Sequence, residues 1–103
     1  MGILSAKQIE KRLQTIPSWS QKPRGLCRTF EFDGFRGSVD FVNKIAVISE
    51  QHDHHPDIDI RWNKVTLKLT THSEGGITEK DFALAKECDS VFPQVSASRV
   101  GAK

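Results

Sequence analysis

The hydrophobic positions of this chain alternate between a helical and a strand period, and the changes of period mark seven elements. Ile9, Leu13 and Ile16 share one helical face behind Ser5, with Gln8 where a capping box needs it. Pro17 ends that first helix. Pro23-Arg24-Gly25 reads as a turn between two short extended pieces, around Trp19 and Leu26. Over 26–32, Leu26, Phe30 and Phe32 alternate with Cys27, Thr29 and Glu31, as in a strand. Asp33 is placed to cap a second helix. Phe35, Ser38, Phe41-Val42, Ile45 and Ile48-Ser49 follow at spacings of three and four, giving the largest apolar stripe in the chain. This helix is expected to be the main element on a sheet and to end near Gln51, ahead of Pro56.

Residues 57–72 carry the clearest pattern. Ile58, Ile60 and Trp62 alternate with Asp57, Asp59 and Arg61, and Val65, Leu67 and Leu69 alternate with Thr66, Lys68 and Thr70. The two runs meet at Asn63-Lys64, which predicts a hairpin turning there. That turn sets Trp62 opposite Val65, Ile60 opposite Leu67, Ile58 opposite Leu69 and Asp59 opposite Lys68. One face is then wholly apolar, with Trp62 in the core. After Gly75-Gly76, Thr78-x-x-Asp81 opens a last helix whose Phe82, Ala85, Cys88 and Phe92 face the core. Pro93 is expected to end it, leaving 94–103 as a loose tail. The order of elements implies one α+β domain over 1–103: a four-stranded antiparallel sheet with about three helices on one face.

Composition narrows the function classes. Leu, Ile, Val and Phe make up 27 of the 103 residues, enough for a core. The longest strictly apolar run is Ile45–Ile48, far short of a membrane span. No signal-peptide pattern opens the chain, so the default location is the cytoplasm, with the nucleus left open. Interspersed charges at net +2 give no footprint for nucleic acid. Cys27 and Cys88 form no Cys-x-x-Cys motif and read as reduced, mostly buried thiols.

The candidate chemistry lies in the histidines. All four, His52, His54, His55 and His72, sit at one end of the hairpin. Extending the ladder sets His55 opposite His72, with Pro56 disturbing the pairing. His54 would turn into the same mouth at the Pro56 bend, with Glu50 and Asp81 nearby. Three readings compete: a solvated polar loop, a metal site and an acid–base centre. Adjacent histidines diverge, no cysteine is near and no His-Glu-x-x-His pattern exists, which weighs against metal. Histidine's ordinary pKa of about 6.5 suits a reaction that gives one proton and takes another. Trp19, after a proline turn, is expected to be accessible.

Asp53-His54-His55-Pro56, Trp62-Asn63-Lys64-Val65, Leu69, Thr71-His72, Gly76, Thr78-x-x-Asp81 and Leu84-Ala85 resemble the pterin-4a-carbinolamine dehydratase family, also known as dimerization cofactors of a homeodomain transcription factor. The resemblance is gap-free from about Glu50 to Ala85 and traceable back to Trp19. It implies a cofactor-free, metal-free dehydratase that turns 4a-hydroxytetrahydropterin into quinonoid dihydropterin and water, recycling the pterin of aromatic amino acid hydroxylases. It implies catalytic roles for His54, His55 and His72. Substrate contacts would come from Asp53 to His55 and Thr70 to Ser73 (Thr70, Thr71, His72, Ser73), with Glu50, Asp81 and Trp19 in the pocket. It also implies a homodimer or homotetramer. Some members carry arginine where this chain has Lys80, which cannot make a bidentate contact. The alternative of another class is a homo-oligomeric binding module or coactivator, or a metal-binding protein, built on the same histidines. No nucleic-acid or membrane partner is indicated, and no protein partner is supported.

Overall fold

The computed structural model describes residues 2–101, with side chains through Phe92. The elements are α1 (Ala6–Leu13), β1 (Ser20–Lys22), β2 (Gly25–Glu31), α2 (Phe35–His52), β3 (Asp57–Arg61), β4 (Lys64–Leu69) and α3 (Glu79–Gly101). The strands make one antiparallel sheet in the order β1-β2-β4-β3, so the fold is α+β with an open sheet and three helices. Val65, Leu67 and Leu69 on the inner face of β4 are fully buried, whereas Thr66 and Lys68 on the outer face are half-buried. The helices cover that inner face. Phe41 of α2 and Phe92 of α3 stack on Phe30 of β2 at centroid distances of 4.6 and 5.1 Å. Each such buried ring adds packing energy beyond its burial.

α1 carries the capping box read from Ser5 and Gln8, with both reciprocal hydrogen bonds made. It stops at Leu13, and Ile16 reaches the core from the turn that follows. The cap of α2 is Gly34, not Asp33. Phe35, read as part of the buried stripe, stands at the first turn and is exposed; the stripe proper runs through Ser38, Phe41, Ile45, Ile48 and Ser49. α3 does not end at Pro93 but runs on to Gly101. A proline removes one ladder bond and can kink a helix without terminating it. The expectation of a loose tail over 94–103 falls on side chains, and at 102–103 on backbone, that lie outside the described residues.

Trp19 is buried rather than accessible. Its Nε1–H donates to Asp89 Oδ1 at 2.8 Å, and its ring meets Phe30 edge-on. Arg28 donates to the same Asp89 oxygen at 2.7 Å and lies over the Phe30 ring. Asp89 thus fastens α3 to β2 and to the segment ahead of β1.

The β3–β4 register differs by two residues from the expected one. Ile58 faces Leu67, Ile60 faces Val65, and Lys68 faces Asp57 rather than Asp59. The turn is Trp62-Asn63, with Trp62 at φ 51°. Asn63 is not free to open a turn because it prolongs the β2–β4 ladder. Its carbonyl accepts from Phe32 N–H at 2.8 Å, and its side-chain amide donates to Phe32 O at 3.1 Å. Ser38 Oγ holds the Trp62 carbonyl at 2.7 Å. A two-residue shift keeps each side chain on its own face. The face itself is not sealed at the edge, since β3 is outermost and Ile58, Ile60 and Trp62 are exposed.

This register makes Asn63, not Lys64, the structural residue of the turn. Asn63→Ala should cost about 1 kcal/mol in urea unfolding, and Lys64→Ala should stay within about 0.5 kcal/mol. The reverse order of effects would contradict it.

Candidate active site

Three element ends build the site. α2 terminates in a Schellman motif: His54 N–H donates to Ser49 O at 3.1 Å and Asp53 N–H to Glu50 O at 3.2 Å. Asp53 takes the left-handed conformation this requires, at φ 50°. Asp tolerates that region better than most side chains. The motif ends the helix sharply and carries His54 and His55 into the link to β3, where Pro56 blocks any return to helix. Beyond β4, Thr71 N–H donates to Gly76 O at 3.0 Å and closes a turn over residues 72–75. Gly75 supplies the positive φ of 78° in that turn, which presents His72 and Ser73. The third contribution is the start of α3, at Thr78 to Asp81.

These ends meet at the carboxylate of Asp81, which is fully buried. Oδ2 accepts from Thr78 N–H and from the Thr71 hydroxyl, both at 2.9 Å, while Oδ1 lies 2.6 Å from His54 Nε2. Thr71 has one hydroxyl proton and spends it on Asp81. The 2.7 Å contact between the two threonine hydroxyls is therefore donated by Thr78. Lys80 N–H in turn donates to Thr78 Oγ1. Thr78 and Asp81 form the capping pair expected from their spacing, and the helix N-terminus favours the negative charge. With Oδ2 filled by two donors, Oδ1 is the acceptor for an Nε2–H of His54. Nδ1 is then the ring nitrogen left to a second partner. His55 has an exposed counterpart: its Nε2 lies 2.5 Å from Glu50 Oε2.

Asp53, His54, His55, Thr70, Thr71, His72, Ser73 and Lys80 line one cleft of about 350 Å³, within the range of small-molecule sites. The ladder does not extend to pair His55 with His72: β3 begins at Asp57, and its pairing with β4 stops with Asp57 opposite Lys68. The cleft nonetheless gathers His54, His55 and His72. Glu50 and Asp81 stand behind histidines rather than on its wall, and Trp19 is elsewhere, bonded to Asp89. His52 is also apart, on the last turn of α2, 4.0 Å from Glu87. The sequence reading missed that Thr71 and Thr78 bond each other. It treated Lys80 only as a substitution, although Lys80 lies on the wall; its place two residues into a capped helix was the available signal. Among the described residues, no three His, Cys, Asp or Glu side chains are placed to hold a metal.

The model of the family described as pterin 4 alpha carbinolamine dehydratase matches residues 3–91. The chain belongs to that family. A protein of Sulfolobus acidocaldarius named "Putative pterin-4-alpha-carbinolamine dehydratase" is 48% identical over 88 residues, covering 85% of this chain and 97% of the relative. One of the same name from Mycobacteroides abscessus is 49% identical over 90 residues, covering 87% and 96%. The crystal structure of a transcriptional coactivator/pterin dehydratase from Brucella melitensis superposes with TM-score 0.85 at 28% identity, covering 88% of this chain and 99% of that one. A pterin dehydratase-like protein identified as a RuBisCO assembly factor in the alpha-carboxysome shares the fold, with TM-score 0.59 at 24% identity over 71% of this chain and 84% of that one.

Neither cysteine lines this cleft, and Cys27, read from sequence as mostly buried, is only half-buried on β2. Cys88 is buried in the core, and burial, with help from Asp89 and Glu87, pushes its thiol up to about 12. Only the thiolate is nucleophilic. A thiol reagent at neutral pH should therefore leave Cys88 unmodified in the folded protein and modify it after unfolding. Mass spectrometry of the labelled chain reads this directly, and rapid native labelling of Cys88 would contradict its burial.

Proposed function

We propose that this chain dehydrates a 4a-hydroxytetrahydropterin to the quinonoid dihydropterin and water, in tetrahydrobiopterin recycling, with His54, His55 and His72 as acid–base groups. The observation that carries the reading is one cleft lined by three histidines, two of them backed by carboxylates. The reaction transfers two protons and changes no oxidation state. A general acid protonates the 4a-hydroxyl, the C–O bond breaks and water leaves. Electrons from the ring nitrogen form the new C=N bond, and a base takes that nitrogen's proton.

The surroundings divide the labour. Asp81 holds His54 in one tautomer and stabilises the imidazolium formed when Nδ1 takes a proton, as a carboxylate does for a catalytic histidine elsewhere. Glu50 does the same for His55 from an exposed position. His72 forms no ion pair among the described residues and suits the acid that meets the departing hydroxyl. Asp53, Thr70, Thr71 and Ser73 supply the polar walls that orient the pterin. A homodimer or homotetramer is part of the same reading. Its support is the outer strand β3 with exposed Ile58, Ile60 and Trp62, an uncovered apolar edge of the kind that pairs with another chain.

The test is dehydration of chemically generated 4a-hydroxytetrahydropterin, followed by ultraviolet absorbance with chelator present. Wild type should accelerate it. His54→Ala, His55→Ala and His72→Ala should each lower kcat/KM by about 10²–10⁴. A variant within threefold of wild type would remove that residue from the mechanism. No acceleration by folded wild-type protein would overturn the dehydratase and leave the binding module. Light scattering at micromolar concentration should give a dimer or tetramer mass, and a monomer would overturn the assembly.

A further inference from the structure

We propose that the pterin this chain prefers ends its side chain in an anionic group, seated against Arg24 and Lys68 in a second hollow beside the histidine cleft. The inference rests on the dehydratase reading and replaces tetrahydrobiopterin, whose side chain ends in neutral hydroxyls, with an anionic pterin as the preferred substrate class. The hollow, of about 390 Å³, is lined by Arg24, Asp57, Lys68, Thr70, His72 and Gly75. It shares Thr70 and His72 with the cleft. A ring system among the histidines whose substituent leaves past these two residues enters it without crossing the protein.

The fold brings the two cations together. Lys68 lies on the outer face of β4, between Cys27 of β2 and Asp57 of β3. Arg24 lies on the β1–β2 turn, next to Gly25. There the backbone approaches so closely that a Cβ would sit 2.5 Å from Leu69 O and 3.4 Å from Lys68 Cε. Glycine permits this contact, and the contact sets the Lys68 stem beside the Arg24 turn. Of the other arginines, Arg12, Arg28 and Arg61 each bind a carboxylate, while Arg36 on α2, away from this hollow, is in no ion pair among the described residues. Among the described residues, Arg24 and Lys68 are in no ion pair. Asp57 is the only acid lining the hollow, so a positive balance remains there. A neutral hydroxyalkyl chain leaves that charge to water. A phosphate or carboxylate makes charge-assisted hydrogen bonds with it, the guanidinium in a planar fork and the ammonium as a point charge.

The experiment compares 4a-hydroxytetrahydropterins with the same ring and three side-chain ends: a neutral hydroxyl, a phosphate monoester and a carboxylate. For wild type at low salt, at least one anionic substrate should show a KM about tenfold lower, the scale of one or two exposed charge contacts. The preference should fade as salt rises. Arg24→Gln and Lys68→Gln should each erode it through KM, and Asp57→Asn should enlarge it. Equal KM for all three substrates would overturn the proposal, as would a preference that survives the Arg24→Gln, Lys68→Gln double variant. Fluorescence titration with the corresponding oxidised pterins separates the two readings. Anion-dependent binding lost in the double variant, without turnover of any substrate, keeps the hollow and rejects the dehydratase. Turnover without anion preference does the reverse.

Discussion

A buried carboxylate is costly unless every lone pair that matters has a donor, and the site of this protein is organised around meeting that condition for Asp81. Its donors come from three places that are distant in sequence: the backbone of Thr78, the hydroxyl of Thr71 beyond β4 and the imidazole of His54 beyond α2. Removing any one donor would leave part of that carboxylate's hydrogen-bonding capacity unmet in the interior. The carboxylate therefore ties the end of one helix, the end of one strand and the start of another helix to a common point. That point also fixes the imidazole of His54 at the edge of the cleft. Capping a helix and orienting His54 are here one set of hydrogen bonds.

Placing chemistry at the ends of elements has a structural logic. Sheet and helix interiors satisfy their own backbone groups, whereas ends leave donors and acceptors that must be met by side chains. α2 solves this with a left-handed Asp53, and the last turn before α3 solves it with Gly75. Each solution swings a histidine toward the same cleft. Below them lies a core whose rigidity comes from aromatic packing, with Phe30, Phe41 and Phe92 in mutual contact. Asp89 binds Trp19 and Arg28 at its margin. The site therefore rests on a dry, close-packed foundation.

Much of the architecture was legible from periodicity. The seven elements, their order, the capping box at Ser5 and Gln8 and the outward and inward sides of β4 all follow from local patterns, because burial of one face imposes a period on the residues that share it. The spacing of Thr78 and Asp81 likewise announced a helix start. The family resemblance drew on the same stretch and named Asp53, His54, His55 and Thr70 to Ser73, which line the cleft, but not Lys80, which lines it too.

What only the tertiary structure decided were the matters set by partners far away in the chain. The hairpin register depended on Asn63 being claimed by Phe32, a contact that no local rule for turns contains. Trp62, Ile58 and Ile60 have the pattern of core residues but occupy an outer strand, and periodicity reports which face a residue takes, not whether anything covers that face. Trp19 looked accessible beside its proline turn, yet Asp89 lies within reach across 70 residues of sequence. The pairing of His54 with Asp81 and of His55 with Glu50 belongs to the same class. A sequence determines which side chains exist and which local conformations they favour. Which of them satisfy one another is settled only when the chain closes on itself, because a buried polar group takes its partner from whatever the packed core brings within 3 Å or so.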